Sequence, residues 1–206
     1  MLVATSGPGH RISHAHHQIV IELIERLSRE LPSTPFLVKL HLKDRPEYYR
    51  AALARPGQRL LFVQAGRDAD LPSSIVDWLQ NCRAVLTGAS TVATEAMLMG
   101  VPVVTMDFQR EIRGVDFIEA GATRHVTTFE QLAAAVNELL QGEALPADLA
   151  ASVQRYLAEN FHTLDGRASD RGAVALLELG GLALGGAAAS NAASSAHLPE
   201  SHTKAR

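Results

Sequence analysis

Residues 85–104 read Val-Leu-Thr-Gly-Ala-Ser-Thr-Val-Ala-Thr-Glu-Ala-Met-Leu-Met-Gly-Val-Pro-Val-Val. An apolar run, a turn of small residues, a helical stretch and a second apolar run follow one another, which predicts strand, helix and strand. Gly100 suits the end of the helix, and Pro102 lies near the start of the second strand, where its missing N–H matters least. We therefore predict two strands joined by a helix in this segment.

The same alternation of apolar strands and helices extends over most of the chain. Strands that are apolar throughout and alternate with helices indicate a parallel sheet covered on both faces. The predicted fold class is therefore α/β, a Rossmann-like parallel sheet of about six strands with helices on both faces. The predicted strands are 2–5, 36–41, 60–63, 84–87, 101–105 and 123–126, and the predicted helices are 18–31, 45–53, 74–81, 91–99, 129–140, 146–161 and 169–179.

The composition indicates one globular domain with a tail. The chain has 206 residues, of which 47% are hydrophobic and 20% are charged. This length is enough for a core that needs no disulfide or metal. After Leu179 the sequence consists mostly of Gly, Ala and Ser, which bury too little apolar surface to repay the entropy of ordering. We predict a domain over residues 1–184 and a disordered low-complexity tail over residues 185–206.

Charge and cysteine content exclude several classes of function. The net charge of −3 provides no basic field for a nucleic-acid backbone, so no nucleic-acid partner is expected. The single cysteine, Cys82, excludes an internal disulfide and a cysteine metal cluster. The apolar run of residues 2–5 is too short for a signal peptide or a membrane span. We expect a cytoplasmic protein without a transmembrane segment.

The turn after the strand at 84–87 is the strongest candidate for a ligand site. Thr87 ends the strand, and Gly88 lets a ligand approach the backbone closely because it has no side chain. The helix that follows offers N–H groups and the positive end of its dipole to a diphosphate, with Ser90 and Thr91 as additional hydroxyl donors. Glu95 lies one turn further on the same helix face and could accept two ribose hydroxyls. The alternative is that Ser90 only caps the helix and Glu95 is a solvated surface charge.

This segment resembles the donor-site signature of GT-B glycosyltransferases, especially bacterial capsule, surface-polysaccharide and CDP-glycerol-type transferases. In these families a turn of small and hydroxyl residues leads into a helix that carries a Glu before Ala-Met-x-x-Gly-x-Pro-Val. Ser90, Thr91, Glu95 and residues 100–103 occupy the corresponding positions. The resemblance implies that the chain is the C-terminal, donor-binding half of such an enzyme.

Two further segments are similar to the same families. Residues 37–44 resemble a strand that ends in Lys-x-His-Pro-Arg/Lys-Asp/Glu, although Leu42 replaces the proline. His41 would then lie at the carboxyl end of a parallel strand, where such sheets bind ligands, unless it is a buried structural histidine. Residues 161–171 resemble a closing Asp-Gly-Lys/Arg-Ala-Ser-x-Arg motif, in which we interpret Asp165 or Ser169 as a helix cap.

The loop after the first strand, residues 5–10, contains Gly7 and Gly9. In the C-terminal halves of GT-B enzymes this loop often approaches the donor phosphates, so both glycines are candidate contacts. The loop lacks the Gly-x-Gly-x-x-Gly spacing because Ile12 takes the third position, which argues against a dinucleotide site.

The acidic residues and histidines indicate no metal site. The set His10, His14, His16 and His17 could suggest one, but no Asp or Glu precedes Glu22, and we interpret these histidines as a polar loop. Asp68 and Asp70 are interpreted as loop charges before a helix. Asp107 lies just past a strand and receives no role.

The resemblance implies a function without a metal or other cofactor. The chain would bind a nucleotide-activated sugar or glycerol donor, and the helix N-terminus would stabilise the leaving diphosphate. An N-terminal half, in a partner subunit or through self-association, would bind the acceptor. Alternatives are a non-catalytic nucleotide-sugar-binding subunit or remnant, and an enzyme similar to the hydrolysing UDP-N-acetylglucosamine 2-epimerase. The epimerase would be expected to show an Asp-Ser-Gly-Gly-x-x-Glu-Glu turn, which residues 87–95 do not match.

Overall fold

A six-stranded parallel sheet organises the chain. The computed structural model describes residues 1–9, 12–41, 44–53, 59–64, 74–142, 145–161 and 163–180. All strand pairs are parallel, and the order across the sheet is β3-β2-β1-β4-β5-β6. This Rossmann-like arrangement confirms the predicted fold class. The strands are β1 (Leu2–Ala4), β2 (Phe36–Leu40), β3 (Leu60–Gln64), β4 (Val85–Thr87), β5 (Val103–Met106) and β6 (Arg124–Val126).

Helices connect the strands. A short 3₁₀ helix, Pro46–Tyr49, leads into α2, and α5 is a single turn that the sequence analysis did not predict, because four residues are too few to show a helical period. The α-helices are α1 (His14–Glu30), α2 (Arg50–Leu53), α3 (Ile75–Gln80), α4 (Val92–Leu98), α5 (Asp116–Glu119), α6 (Phe129–Gln141), α7 (Ala147–Asn160) and α8 (Ala168–Leu179).

Alternate strand residues pack against opposite layers of helices. Val3 pairs in register with Val38 on one side and Leu86 on the other, and these side chains share a core with α1 and α6. On the opposite face α4 packs on β4 and β5, and α7 packs on α4. Both faces of the sheet are therefore covered, which explains why the central strands are apolar at almost every position.

Gly100 ends α4 as the sequence predicts. Its φ of +72° lies in the left-handed region that glycine adopts without strain, and the N–H of Val101 donates to the carbonyl of Ala96 at 2.9 Å. The helix therefore reverses sharply into β5.

The start of α1 corrects the interpretation of the histidines. His14, His16 and His17 form the first turn of α1 instead of a polar loop, and His16 and His17 are buried. The helix begins one turn earlier than predicted because the Ser13 side chain accepts the N–H of His16 at 3.0 Å. His10, Asp68 and Asp70 lie outside the described residues.

The chain divides into two compact units, residues 1–160 and 161–206. The first contains the sheet and helices α1 to α7, and the second contains α8. In the second unit Asp165 accepts the N–H of Arg167 at 3.0 Å and pairs with Arg171 at 2.8 Å, whereas Ser169 lies inside α8 and does not cap it. The predicted boundary at residue 184 and the predicted tail lie outside the described residues, so they stay predictions.

Candidate functional site

A crevice forms where the connections of the sheet diverge. From β1 the chain continues to β2 and β3 on one side, whereas β4 pairs with β1 on the other side and leads to β5 and β6. In open α/β sheets, ligands bind at this switch point, outside the carboxyl ends of the strands. A Cβ built on Gly88 would lie 3.6 Å from Ser6 Oγ and 3.8 Å from Ile112 Cδ1. The turn after β4 thus lies against the loop after β1 and against Ile112, and a side chain at residue 88 would touch both.

The turn into α4 keeps its hydroxyl groups near this crevice. The N–H of Ser90 donates to the carbonyl of Gly88 at 3.0 Å, and Ser90 Oγ accepts the N–H of Val92 at 3.3 Å. Thr91 is exposed and is the N-cap residue of α4, but its side chain makes no capping hydrogen bond. Ser90 thus performs the capping role of the alternative interpretation, and both hydroxyls stay within reach of the turn.

Glu95 combines burial with an unsatisfied oxygen. The residue is half-buried in the first turn of α4, and its Oε2 atom is buried without a hydrogen-bond partner among the described residues. Buried polar atoms are nearly always paired, and leaving one unpaired destabilises the protein by about 1–3 kcal/mol. An unpaired carboxylate oxygen at this position therefore points to a missing hydrogen-bond donor.

Three other predicted site residues shape the fold around the crevice. Thr87 is fully buried, and its hydroxyl donates to the carbonyl of Ala4 at 2.9 Å, which ties β4 to β1. The Thr87 side chain therefore holds the two strands together at the crevice. Gly7 is buried, and Gly9 is exposed with a left-handed φ of +93°. The N–H of Gly9 donates to the carbonyl of Ile12 at 2.9 Å, which closes the loop before α1.

His41 lies at the same edge of the sheet. It directly follows β2, and its side chain is exposed instead of buried as in the structural alternative. Because β2 neighbours β1 and β1 neighbours β4, the strands that carry His41 and Gly88 are two spacings apart, about 10 Å. The structure therefore brings His41, the glycine loop and the α4 turn to one edge. Leu42, which replaces the expected proline, lies outside the described residues.

A buried polar network next to His41 was missed by the sequence analysis. Asp44 Oδ2 accepts the Thr5 hydroxyl and the N–H of His41, the latter at 3.0 Å. His17 Nε2 lies 3.0 Å from Asp44 Oδ1 and 3.0 Å from the Tyr49 hydroxyl, with which it hydrogen-bonds. Burial raises the pKa of Asp44, but the hydrogen bonds from His17, Thr5 and His41 outweigh it, so the pKa of Asp44 is lowered. Asp44 is the acidic residue at the end of the Lys-x-His motif. Its position in that motif was the signal in the sequence that could have identified it.

Asp107 has a structural role in the loop after β5. It is buried, and its Oδ1 accepts the N–H groups of Glu111 at 2.8 Å and Ile112 at 3.2 Å. This bonding brings the Glu111 carboxylate to the start of α1, where it accepts the N–H of Ser13 at 2.8 Å. The loop after β5 thereby forms one wall of the crevice through Ile112, whose side chain faces Gly88.

Neither a metal cluster nor a membrane span is found in the part of the chain that the structure describes. Among those residues no group of three or more His, Cys, Asp or Glu side chains could hold a metal ion. None of the described helices has the length and apolar character that crossing a membrane requires.

Part of the sequence resembles a curated protein. No family model matches the sequence. A curated relative, the lipid-A-disaccharide synthase of Geobacter metallireducens, is 29% identical over 158 residues, which cover 73% of this chain and 38% of the synthase. The chain thus corresponds to less than half of this relative's length.

Solved structures of low sequence identity share the fold. S. aureus MnaA, in a co-structure with UDP, gives a TM-score of 0.59 at 18% identity over 88% of this chain and 46% of that chain. A UDP-N-acetylglucosamine 2-epimerase gives 0.52 at 18% identity over 99% of this chain and 46% of its own. The C-terminal domain of a group 1 glycosyl transferase (LpcC) from Francisella tularensis gives 0.51 at 15% identity over 78% of this chain and 85% of that domain. The chain therefore has the Rossmann-like fold that also forms the C-terminal domain of this glycosyltransferase.

Proposed function

We propose that the chain binds the nucleoside diphosphate of an activated sugar or glycerol donor and serves as the donor-binding part of a glycosyltransferase or glycerophosphotransferase. In this proposal the diphosphate lies over the turn of residues 88–91 and the ribose lies against Glu95. The loop of Gly7 and Gly9 and the side chain of His41 contact the remainder of the donor. An N-terminal acceptor-binding half, in another polypeptide or another part of a longer protein, completes the active site.

The unpaired oxygen of Glu95 is the observation that carries this proposal. A carboxylate can accept the two hydroxyls of a ribose at once, and such hydrogen bonds to a charged acceptor are stronger than neutral ones. A ribose bound beside α4 would offer hydroxyls to this carboxylate, whose Oε2 atom has no partner in the described part of the protein. A surface carboxylate would be satisfied by water and would have no reason to be half-buried.

The position of the crevice supports the same ligand. Thr91 offers a hydroxyl that does not cap its helix, and Gly88 presents its backbone without a side chain. Thr91 lies one helical turn before Glu95, so a donor for a diphosphate and an acceptor for a ribose occur on the same short segment. Such a ligand would lie at the switch point between β1 and β4, outside the carboxyl ends of the strands.

The comparisons support the reaction class and leave a second candidate. The curated relative is named a lipid-A-disaccharide synthase, and one similar structure is a group 1 glycosyl transferase domain. The motifs in residues 85–104 and 161–171 favour the finer assignment to surface-polysaccharide or CDP-glycerol-type transferases. An epimerase acting on UDP-N-acetylglucosamine is the second candidate because one similar structure has that name. Both candidates bind a nucleoside diphosphate, and a product assay with UDP-N-acetylglucosamine separates them.

Nucleotide binding is the direct test. The purified chain is titrated with UDP, GDP and CDP in a calorimeter, with and without EDTA. We expect one of the three to bind, and EDTA to leave its affinity unchanged, because the helix end and hydroxyls supply the positive potential. At a hundred times its dissociation constant that nucleotide should add about 2.7 kcal/mol to the free energy of unfolding. Absence of binding by all three, or a strict requirement for Mg²⁺, would contradict the proposal.

A matched pair of variants assigns the ribose contact. Glu95→Gln should weaken binding of the nucleotide about tenfold or more, because a charged acceptor of two hydroxyls is lost. The 2′-deoxy form of the same nucleotide should bind the wild-type protein weakly. The Glu95→Gln substitution should reduce the affinity for this deoxy form only slightly. Glu159→Gln, an exposed glutamate on α7, serves as the control and should leave the affinity unchanged. Equal losses for ribose and deoxyribose forms in Glu95→Gln would refute the contact.

A further inference from the structure

Both polar backbone groups of His41 are fixed by side chains. Its N–H donates to Thr5 Oγ1 at 2.9 Å and to Asp44 Oδ2 at 3.0 Å. Its carbonyl accepts the backbone N–H of Asp44 at 2.9 Å and Gln64 Nε2 at 3.3 Å, and the Gln64 amide also donates to the carbonyl of Asp44 at 3.1 Å. Side chains from the ends of β1 and β3 and from the loop after β2 thus converge on one backbone position.

The network at this position contains a buried charge. The Asp44 side chain is inaccessible to solvent, and burying a carboxylate is unfavourable unless hydrogen bonds compensate for it. The Thr5 hydroxyl and the His41 N–H provide hydrogen bonds to Asp44 Oδ2. His17 Nε2 lies 3.0 Å from Asp44 Oδ1, and the hydrogen bond of this nitrogen is to the Tyr49 hydroxyl. The network joins α1, the 3₁₀ helix and the ends of the strands next to His41.

The exposure of His41 explains what this arrangement is for. Backbone groups at the end of a strand can be satisfied by water, so an exposed residue needs no buried carboxylate to hold it. Here a rigid support is built under a residue whose side chain faces solvent at the carboxyl edge of the sheet. Groups that must meet a ligand are held in this way, because a small misplacement weakens the contact strongly.

We propose that Asp44, assisted by Thr5, is a positioning residue that holds His41 toward the bound donor without touching the donor itself. This inference rests on the proposed function. The imidazole of His41 donates a hydrogen bond to an anionic oxygen of the donor, and Asp44 determines where that imidazole lies. Removing the Asp44 acceptor lets the backbone of His41 shift, and the bond to the donor is lost with it.

A double-mutant cycle in the full chain tests this role. With the nucleotide of the UDP, GDP and CDP panel that binds wild type, Asp44→Ala and His41→Ala are each expected to weaken binding about tenfold. The double variant should be no weaker than His41→Ala alone, because Asp44 acts only through His41. Asp44→Asn keeps an acceptor oxygen of the same shape and should retain most of the affinity. A further loss from Asp44→Ala in the His41→Ala background would overturn the positioning role.

Thr5 provides an independent pair of variants that leaves the buried carboxylate in place. Thr5→Val removes the hydroxyl with little change in shape and should weaken binding, whereas Thr5→Ser should not. Exchange of the His41 amide hydrogen, followed by nuclear magnetic resonance without ligand, should accelerate in Asp44→Ala and Thr5→Val and stay slow in Asp44→Asn and Thr5→Ser. Failure of wild type to bind any nucleotide would refute the proposed function and, with it, a role at the donor site. Normal wild-type binding with unchanged affinity in Asp44→Ala and Thr5→Val would refute the positioning role alone.

Discussion

Ser90, Thr91 and Glu95 provide different contacts from one short segment. The two hydroxyls precede α4 and can donate to phosphate oxygens, whereas Glu95 accepts and therefore suits a sugar hydroxyl. Ser90 also accepts the N–H of Val92, so it stabilises the start of the helix. The chemistry at this turn thus depends on side chains that are also part of its local structure.

Removing both hydroxyls should weaken nucleotide binding. Ser90→Ala combined with Thr91→Ala is expected to reduce the binding free energy by about 1–3 kcal/mol, since two donors to a charged group are lost. The control is Ser33→Ala with Thr34→Ala, the same dipeptide in the turn that precedes β2, at the opposite edge of the sheet. Calorimetry measures the nucleotide affinity of both double variants and of wild type. An affinity of the Ser90→Ala, Thr91→Ala variant equal to that of wild type would show that the diphosphate lies elsewhere.

Among the helices, α1 depends most on residues outside itself. Its first turn carries no acidic residue, and its negative partner is the Glu111 carboxylate, brought there by the loop that Asp107 holds. The same first turn contributes the buried His16 and His17. The start of α1 is therefore coupled both to the loop after β5 and to the network around Asp44.

The Ser13 cap should contribute measurably to stability. Ser13→Ala removes the oxygen that accepts the N–H of His16 and is expected to lower the free energy of unfolding by about 1 kcal/mol. Ser13→Thr retains that oxygen and should lie close to wild type. Urea denaturation measures both variants. A loss as large in Ser13→Thr as in Ser13→Ala would show that the cap is not the source of the effect.

The described part of the chain builds one sheet with its covering helices, and the chain corresponds to 38% of the length of its curated relative. In the two-half transferase that we propose, the reaction takes place in a cleft between the halves, where exclusion of water strengthens the electrostatic stabilisation of the leaving diphosphate. One half alone offers only the donor side of such a cleft. Binding and transfer should therefore be separable activities.

We expect the purified chain to bind a donor but to transfer no sugar by itself. The assay offers radiolabelled nucleotide donors together with lipid-linked and oligosaccharide acceptors, and it monitors labelled product. Addition of a polypeptide that provides an acceptor-binding half should produce turnover. The control is a crevice variant, Glu95→Gln, in the same mixture, which should reduce that turnover. Robust transfer by the monomeric chain alone would contradict the half-enzyme proposal.

Local sequence pattern was sufficient for the fold class and for the principal turn. Apolar strands that alternate with helices predicted the six parallel strands, because burial on both faces leaves a signal within each strand. The turn of Gly88, the helix with Glu95 and the stop at Gly100 were also visible, since each depends on residues within a few positions of one another. The early start of α1 was missed because the histidines that extend it are polar in type although they are buried.

Tertiary structure alone determined which distant residues meet. The contacts of Asp44 with Thr5 and His17 span 39 and 27 positions and exist only because β2 pairs with β1 and α1 packs across both. Strand order also placed His41 and Gly88 at one edge, and it directed the Thr87 hydroxyl to the carbonyl of Ala4. Periodicity reports whether a residue is buried, but it contains no information about its partner. The order of the strands and the packing of α1 decide those partners, which is why the contacts of Asp44 and Thr87 could not be predicted from the sequence.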